Sequence, residues 1–195
     1  MKTFEEYLQE AERTHGHLCA GQVLGVRMAL RGLARLGIDD PIKERKRLVT
    51  FVEIDRCATD AVTVVTGCRL GKRALKFRDW GKMAATFVDL ADRRAIRVVA
   101  REDSRELACS LFPELADLNR QQMAAYRQLS DLELFNEAWV EVELQPEDFP
   151  GYKSERVYCD QCGERINFKR EVLREGRRLC RACASEAYYR PVAPK

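Results

Sequence analysis

Both histidines of this chain and one of its eight cysteines lie within seven residues, His15-Gly16-His17-Leu18-Cys19-Ala20-Gly21. Imidazole and thiolate suit soft metals, nucleophilic attack and proton transfer near neutral pH, so this His-Cys box is the first candidate for chemistry. His15 and Cys19 are four apart and share a face in a helix; His15 and His17 share one only in extended chain. Taken alone, each histidine is as well explained as a hydrogen-bonded structural imidazole. The neighbouring thiol favours a functional reading. A second stretch, Cys57-Ala58-Thr59-Asp60, sets a thiol near a carboxylate. A third, Thr66-Gly67-Cys68-Arg69-Leu70-Gly71-Lys72, places two glycines about a cysteine and ends in lysine. Such a loop can cradle an anion, although it lacks the spacing of a P-loop. Cys109, among apolar helix positions, reads as a small buried hydrophobe.

The most specific signal lies near the C-terminus. Cys159-Asp160-Gln161-Cys162 and Cys180-Arg181-Ala182-Cys183 are separated by 17 residues, within the spacing of two C-x-x-C pairs that close a tetrahedral metal site. Four thiolates leave no open position, so the expected ion is a structural Zn²⁺ held by Cys159, Cys162, Cys180 and Cys183. Gly163 suits the knuckle after the first pair, residues 167–178 a hairpin and residues 184–189 a helix; that order resembles a treble-clef zinc finger. A rubredoxin-like iron site uses the same pairs and is the lesser alternative.

The elements that must carry these groups are readable from periodicity. Thr3 with Glu6 forms a capping-box pattern ahead of a helix to Arg13, which delivers the chain to the box. Apolar spacing predicts a second helix over 18–36, stopped at Gly37. Strands are expected over 47–54, 74–80, 83–90, 95–100 and 139–144, as an antiparallel meander. A short helix is expected after Cys57, with further helices over 103–111 and 114–129. Elements in blocks argue an α+β class: an antiparallel sheet core with helices, plus the small zinc finger. Gln145-Pro146-Glu147-Asp148-Phe149-Pro150-Gly151 is the clearest linker, so the expected domains are 1–148 and 149–195.

At 195 residues, 46% hydrophobic and 33% charged, the composition is that of a soluble globular protein. No apolar run reaches membrane-spanning length and no signal-peptide pattern opens the chain, so a cytoplasmic protein without membrane partners is expected. The net charge of +3 is uneven: residues 151–195 hold 11 Lys and Arg against 6 Asp and Glu. Four zinc-bound thiolates would lower that excess to a mildly basic module, weaker than a dedicated nucleic-acid binder carries. Arg177, Arg178, Arg181 and Arg190, with Phe168, Tyr188 and Tyr189, offer nucleic acid a surface. Protein docking or plain solvation is favoured over it.

Taken together, His15-Gly16-His17-Leu18-Cys19-x-Gly21, Cys57-Ala58-Thr59-Asp60-Ala61, Thr66-Gly67-Cys68-x-Leu70-Gly71-Lys72 and Asp79-x-Gly81-Lys82 closely resemble the FmdE family of formylmethanofuran dehydrogenase components. The match spans about residues 1–150, and a C-terminal zinc finger is a known addition in that family. Ala20 stands where much of the family has proline. The resemblance implies an α+β homodimer associated with a molybdenum or tungsten enzyme that interconverts CO₂ plus methanofuran with formylmethanofuran, the redox chemistry belonging to other subunits. The expectation is therefore a metal- or small-ligand-binding accessory protein of one-carbon metabolism, with dehydrogenase subunits as candidate partners. His15, His17, Cys19, Cys57 and Asp60 form the candidate core site, which is also the candidate second transition-metal site. The box is one wall of a cleft and residues 57–72 are the other, in which Thr59, Gly67, Cys68, Gly71 and Lys72 are the candidate binders of a small or anionic ligand. The competing readings are a Cys/His-dependent enzyme acting on an acyl or one-carbon group, and a zinc-finger regulator or nucleic-acid binder.

Overall fold

The computed structural model describes residues 1–44 and 46–192 and divides into two units, Met1–Glu143 and Leu144–Lys195. The division falls five residues ahead of the boundary expected from the prolines.

In the larger unit, helix α1 (Phe4–His15) begins at the expected capping box: Thr3 and Glu6 satisfy each other's backbone N–H groups. It ends at Gly16, whose φ of +96° only glycine adopts freely and whose N–H reaches the Glu12 carbonyl at 2.7 Å. Helix α2 (Ala20–Leu36) follows after four residues and is stopped by Gly37. It is the central helix, packing against α1, strands β3 (Ala84–Asp89) and β4 (Ala95–Ala100), and helices α3 (Cys57–Thr66) and α5 (Leu118–Gln128). Val23, Val26, Ala29 and Leu33 are fully buried. Glycine sets how closely its neighbours approach. A Cβ on Gly25 would lie 2.6 Å from the Ala58 carbonyl oxygen, and one on Gly32 2.1 Å from the Phe87 ring. α3 is rich in β-branched residues that disfavour helix; its small face, Ala58 and Ala61 against Gly25, supplies the packing that holds it helical.

The five-stranded sheet runs β2-β1-β3-β4-β5, with β1 at Leu48–Val52, β2 at Leu75–Phe77 and β5 at Phe135–Val140. β1 to β5 pair antiparallel through β3 and β4, but β2 lies parallel to β1 on its outer side. The expected meander is thus corrected at one strand. The chain crosses from β1 to β2 through α3, the kind of helical crossover parallel strands require, so β2 and β3 flank β1 instead of pairing with each other. Helix α4 (Asp103–Leu111) lies where expected, but Cys109 on it is exposed, not buried. α5 starts at Leu118, capped by Asp117, because Pro113 and the residues after it form turns. The last strand is shifted from 139–144 to 135–140. Ser130 opens a capping box for a four-residue helix, α6 (Asp131–Leu134), and the six residues of β4 then pair with Phe135–Val140.

In the smaller unit, β6 (Val157–Tyr158) pairs with β7 (Arg165–Ile166) and β8 (Val172–Arg174) with β9 (Arg177–Leu179), both antiparallel. The expected C-terminal helix is a single turn, Ala182–Glu186, broken by Ser185 at φ +90°. Among the described residues of both units, no helix is long and apolar enough to cross a membrane.

Candidate functional site

The box is the turn between α1 and α2. His15 is the last residue of α1, Cys19 is the N-cap residue of α2 in extended conformation, and His17 lies between them. Gly16 reverses the chain tightly enough to fold the two imidazoles together, their ring centroids 4.8 Å apart. One ligand atom from each of His15, His17 and Cys19 lies within 4.8 Å of the others. Asp60 closes the arrangement from α3: its Oδ2 is 2.8 Å from His15 Nδ1. The carboxylate accepts from the tautomer protonated at Nδ1 and leaves the Nε2 lone pair for another partner.

Cys57, the first residue of α3, comes up beside Cys19. Gly21 makes the approach possible, since a Cβ there would sit 3.3 Å from Cys57 Cβ and 3.8 Å from Cys19 Sγ. Burial pushes the Cys57 thiol above its ordinary value, and its hydrogen bond with Cys19 pushes it in the same direction. Both helices point their N-termini at this thiol pair. The α2 terminus also receives Asn119 from α5, whose Oδ1 accepts from the Ala20 N–H at 2.9 Å.

The structure brings together His15, His17, Cys19, Cys57 and Asp60. It does not bring Gly67, Cys68, Gly71 and Lys72 to them. These follow the far end of α3, whose ten residues span about 15 Å. Cys68 is 1% exposed and faces the sheet, where the Thr50 hydroxyl donates to its Sγ at 3.5 Å. Burial raises its pKa. Gly67 is the stop of α3, and Gly71 and Lys72 sit in the exposed turn Leu70–Lys72. The Thr59 hydroxyl bonds to the Ile54 carbonyl at the start of α3. Of the second wall expected from the sequence, residues 57–72, the start of α3 meets the box and the far end does not. Sequence reasoning misses a cavity of about 150 Å³ beside Gly21, lined among others by Leu24, Met83, Ser104, Arg105 and Tyr126. Its walls come from four separate elements, and no local spacing signals it.

In the smaller unit, the Sγ atoms of Cys159, Cys162, Cys180 and Cys183 all lie within 4.8 Å of one another. Zn–S bonds of about 2.3 Å in a tetrahedron put sulfurs about 3.8 Å apart, and Cys162 and Cys180 stand at 3.9 Å. The donor set fits zinc. Backbone N–H groups are aimed at the sulfurs: that of Cys180 reaches Cys159 Sγ at 3.2 Å, and that of Cys183 reaches Cys180 Sγ at 3.4 Å. Donors from Cys162 and Cys180 lower the Cys159 pKa to about 6, while the thiols around it raise that of Cys183 to about 12. Four crowded sulfurs without a cation cannot all ionise, and a divalent ion removes that conflict.

The fold and sites define a mixed helix-and-sheet unit with an imidazole-thiol cluster at a helix junction, followed by a four-cysteine zinc module. Residues 14–138, well over half of the chain, match the family described as FmdE, molybdenum formylmethanofuran dehydrogenase operon, and the chain belongs to that family. Residues 151–189 match the prokaryotic DksA/TraR C4-type zinc finger. The crystal structure of a tungsten formylmethanofuran dehydrogenase FmdE-like protein from Syntrophus aciditrophicus has the same fold. Its TM-score is 0.63 at 19% identity, over 96% of this chain and 95% of that one. A probable S-adenosyl-L-methionine-binding protein of Archaeoglobus fulgidus is 31% identical over 202 residues. That alignment covers 93% of this chain and 53% of the relative, so the chain spans about half that protein's length.

Proposed function

We propose that this FmdE-family chain is an accessory binding protein rather than a redox catalyst, and that His15, His17 and Cys19 hold one transition-metal ion. The carrying observation is the convergence of two imidazoles and a thiol within 4.8 Å, with Asp60 fixing His15 from α3. A carboxylate that orients a ligating histidine is the common support of such sites. Three protein ligands leave a position open, which distinguishes sites that take up a further molecule from purely structural ones. A cavity lined by Ala20 and Gly21, the first residues of α2, offers room for a small molecule in the same unit. The family description suggests one-carbon compounds as ligands and dehydrogenase subunits as partners, and the archaeal relative's name adds S-adenosyl-L-methionine to the compounds to try. A homodimer is part of the proposal.

Elemental analysis of the full chain tests it. The expected result is two metal ions per chain, and one in the His15→Ala/His17→Ala/Cys19→Ser variant. Cobalt loading sharpens the readout, because a site with one thiolate and a site with four absorb differently. One ion per chain in both proteins, with an all-thiolate cobalt spectrum, overturns the proposal.

A further inference from the structure

The larger unit is electrically balanced, with 23 Lys and Arg against 23 Asp and Glu over residues 1–143, yet residues 69–82 hold six Lys and Arg against Asp79 alone. Elsewhere in the unit many arginines are answered, though among the described residues Arg13, Arg56, Arg93 and Arg105 stand singly on the surface. Asp131 pairs with Arg27, Glu137 with Arg31 and Arg35, Asp89 with Arg47, Glu53 with Arg97 and Glu5 with Arg127. Arg69, Lys72, Arg78 and Lys82 are exposed and make no ion pair among the described residues. This stretch runs along β2, the outermost strand at its side of the sheet.

Aromatic surface is interleaved with the charge. Trp80 is 61% exposed and Phe77 39%. Their loop is not loose. The Arg78 N–H bonds to the Val52 carbonyl at 2.9 Å, and the Trp80 and Lys82 N–H groups both bond to the Glu53 carbonyl, at 3.3 and 3.1 Å. Gly81, at φ +65°, makes the turn between them. Lys82 Nζ lies 5.7 Å from the centre of the Trp80 ring, and Arg78 lies over Phe51. Cations on an edge strand ordinarily deter edge-to-edge pairing. That accounts for a charge within β2, not for a tryptophan held out on an anchored loop among unpaired cations beyond it. Exposed rings with unpaired cations beside them are what single-stranded and nucleotide sites use, a base stacking on the ring while phosphate meets the charge.

We infer that the β2 edge and its following loop form a site for nucleotide chemistry, a base on Trp80 and phosphate on Arg78 and Lys82, whether the nucleotide is free or part of a single strand. Arg69 and Lys72, at the other end of β2, would then take further phosphates of a strand. This site does not depend on the metal reading.

The test uses the full chain carrying Trp139→Phe, which leaves Trp80 as its single tryptophan. Fluorescence is followed at low salt during titration with AMP and, separately, with a ten-nucleotide oligo-dT. Quenching is expected, with affinity about tenfold weaker in Arg78→Glu/Lys82→Glu at unchanged circular dichroism. Quenching by AMP identifies a free-nucleotide site; quenching by the oligomer alone identifies a strand site that Arg69→Glu/Lys72→Glu should weaken further. Arg177→Glu/Arg178→Glu, in the zinc module, should leave the titration unchanged. The inference is overturned by an unquenched Trp80 at millimolar ligand, by undiminished binding in Arg78→Glu/Lys82→Glu, or by polyglutamate binding as tightly as the oligomer.

Discussion

The larger unit encloses a continuous apolar core running from Tyr7 to Phe135, with Phe87, Leu33, Ile96 and Leu134 fully buried. Among its described residues the smaller unit buries four, Cys159, Ile166, Leu179 and Ala184, and one of those belongs to the cysteine quartet itself. At roughly 25 cal/mol per Å² of apolar surface, the first core can outweigh the chain entropy of its unit and the second cannot. Structure in the smaller unit must therefore come from the ion, whose binding to four-cysteine modules supplies on the order of 10–16 kcal/mol. The two metal-competent clusters differ in the same way. The cysteine quartet makes the fold around it, whereas the His-Cys box sits on a junction that helix packing already holds in place.

Metal removal is the strongest way to break this comparison. With excess chelator, amide resonances of residues 157–186 should collapse to unfolded positions while those of the larger unit keep their dispersion, and protease should cut first beyond residue 144. Cys162→Ser should do the same with zinc present. Loss of the larger unit's dispersion on chelation would show that the box ion, too, is structural.

Substitutions at the junction come next. Gly25→Ala gains helix propensity of about 1 kcal/mol, but its Cβ would meet the Ala58 carbonyl at 2.6 Å, and backbone there has nowhere to go. A net loss of about 2 kcal/mol is expected, read as a lower melting temperature of the larger unit, together with weaker metal binding at the box as α3 shifts Cys57 and Asp60. Leu33→Ala, fully buried on the opposite part of α2, should cost about 3 kcal/mol with no change in metal content. Equal effects of the two on metal binding would mean that the α2–α3 contact does not position the box.

Legibility in the sequence follows the same division. The cysteine quartet is readable because ligand spacing is local, and α1 and α2 are readable because their stop signals, Gly16 and Gly37, and the Thr3–Glu6 box are local too. Partnership across the chain is not. Asp60 is 45 residues from His15; its expected place in the core site comes with the family resemblance, and no local spacing says which histidine it reaches. Cys68 resembles a site residue because two glycines flank it, but those glycines serve the chain reversal after α3, and the thiol turns into the sheet. The parallel placement of β2 is hidden for the same reason: strand composition says that residues pair, not with what. Cys109 misleads because α4 buries only Ser104 and Ala108, a narrow stripe that the apolar content of its sequence overstates.

Asp60→Asn probes the box more gently. The amide cannot accept from His15 as a carboxylate does, so the ligating imidazole loses its orienting charge. Metal affinity at the box is expected to fall about 10–100-fold, measured by competition with a chromophoric chelator. Asp60 is exposed, so the melting temperature of the larger unit should barely move. A large drop in stability with unchanged metal affinity would make the His15–Asp60 contact a brace between α1 and α3 and nothing more.

The smallest effect expected is also the most discriminating between the two modes of stabilisation. Ile166 is 7% exposed, nearly as buried as many residues of the large core, and Ile→Ala in a packed core costs about 2–5 kcal/mol. In the smaller unit the surrounding apolar cluster is four residues, and most of the fold's free energy is metal binding. Removing three carbons there should weaken zinc affinity by less than about tenfold, or about 1.4 kcal/mol, while the zinc-loaded module keeps its dispersed spectrum. If Ile166→Ala instead releases zinc as completely as Cys162→Ser does, the four-residue core contributes as much as the ligands, and the contrast between a unit held by burial and a unit held by its ion fails.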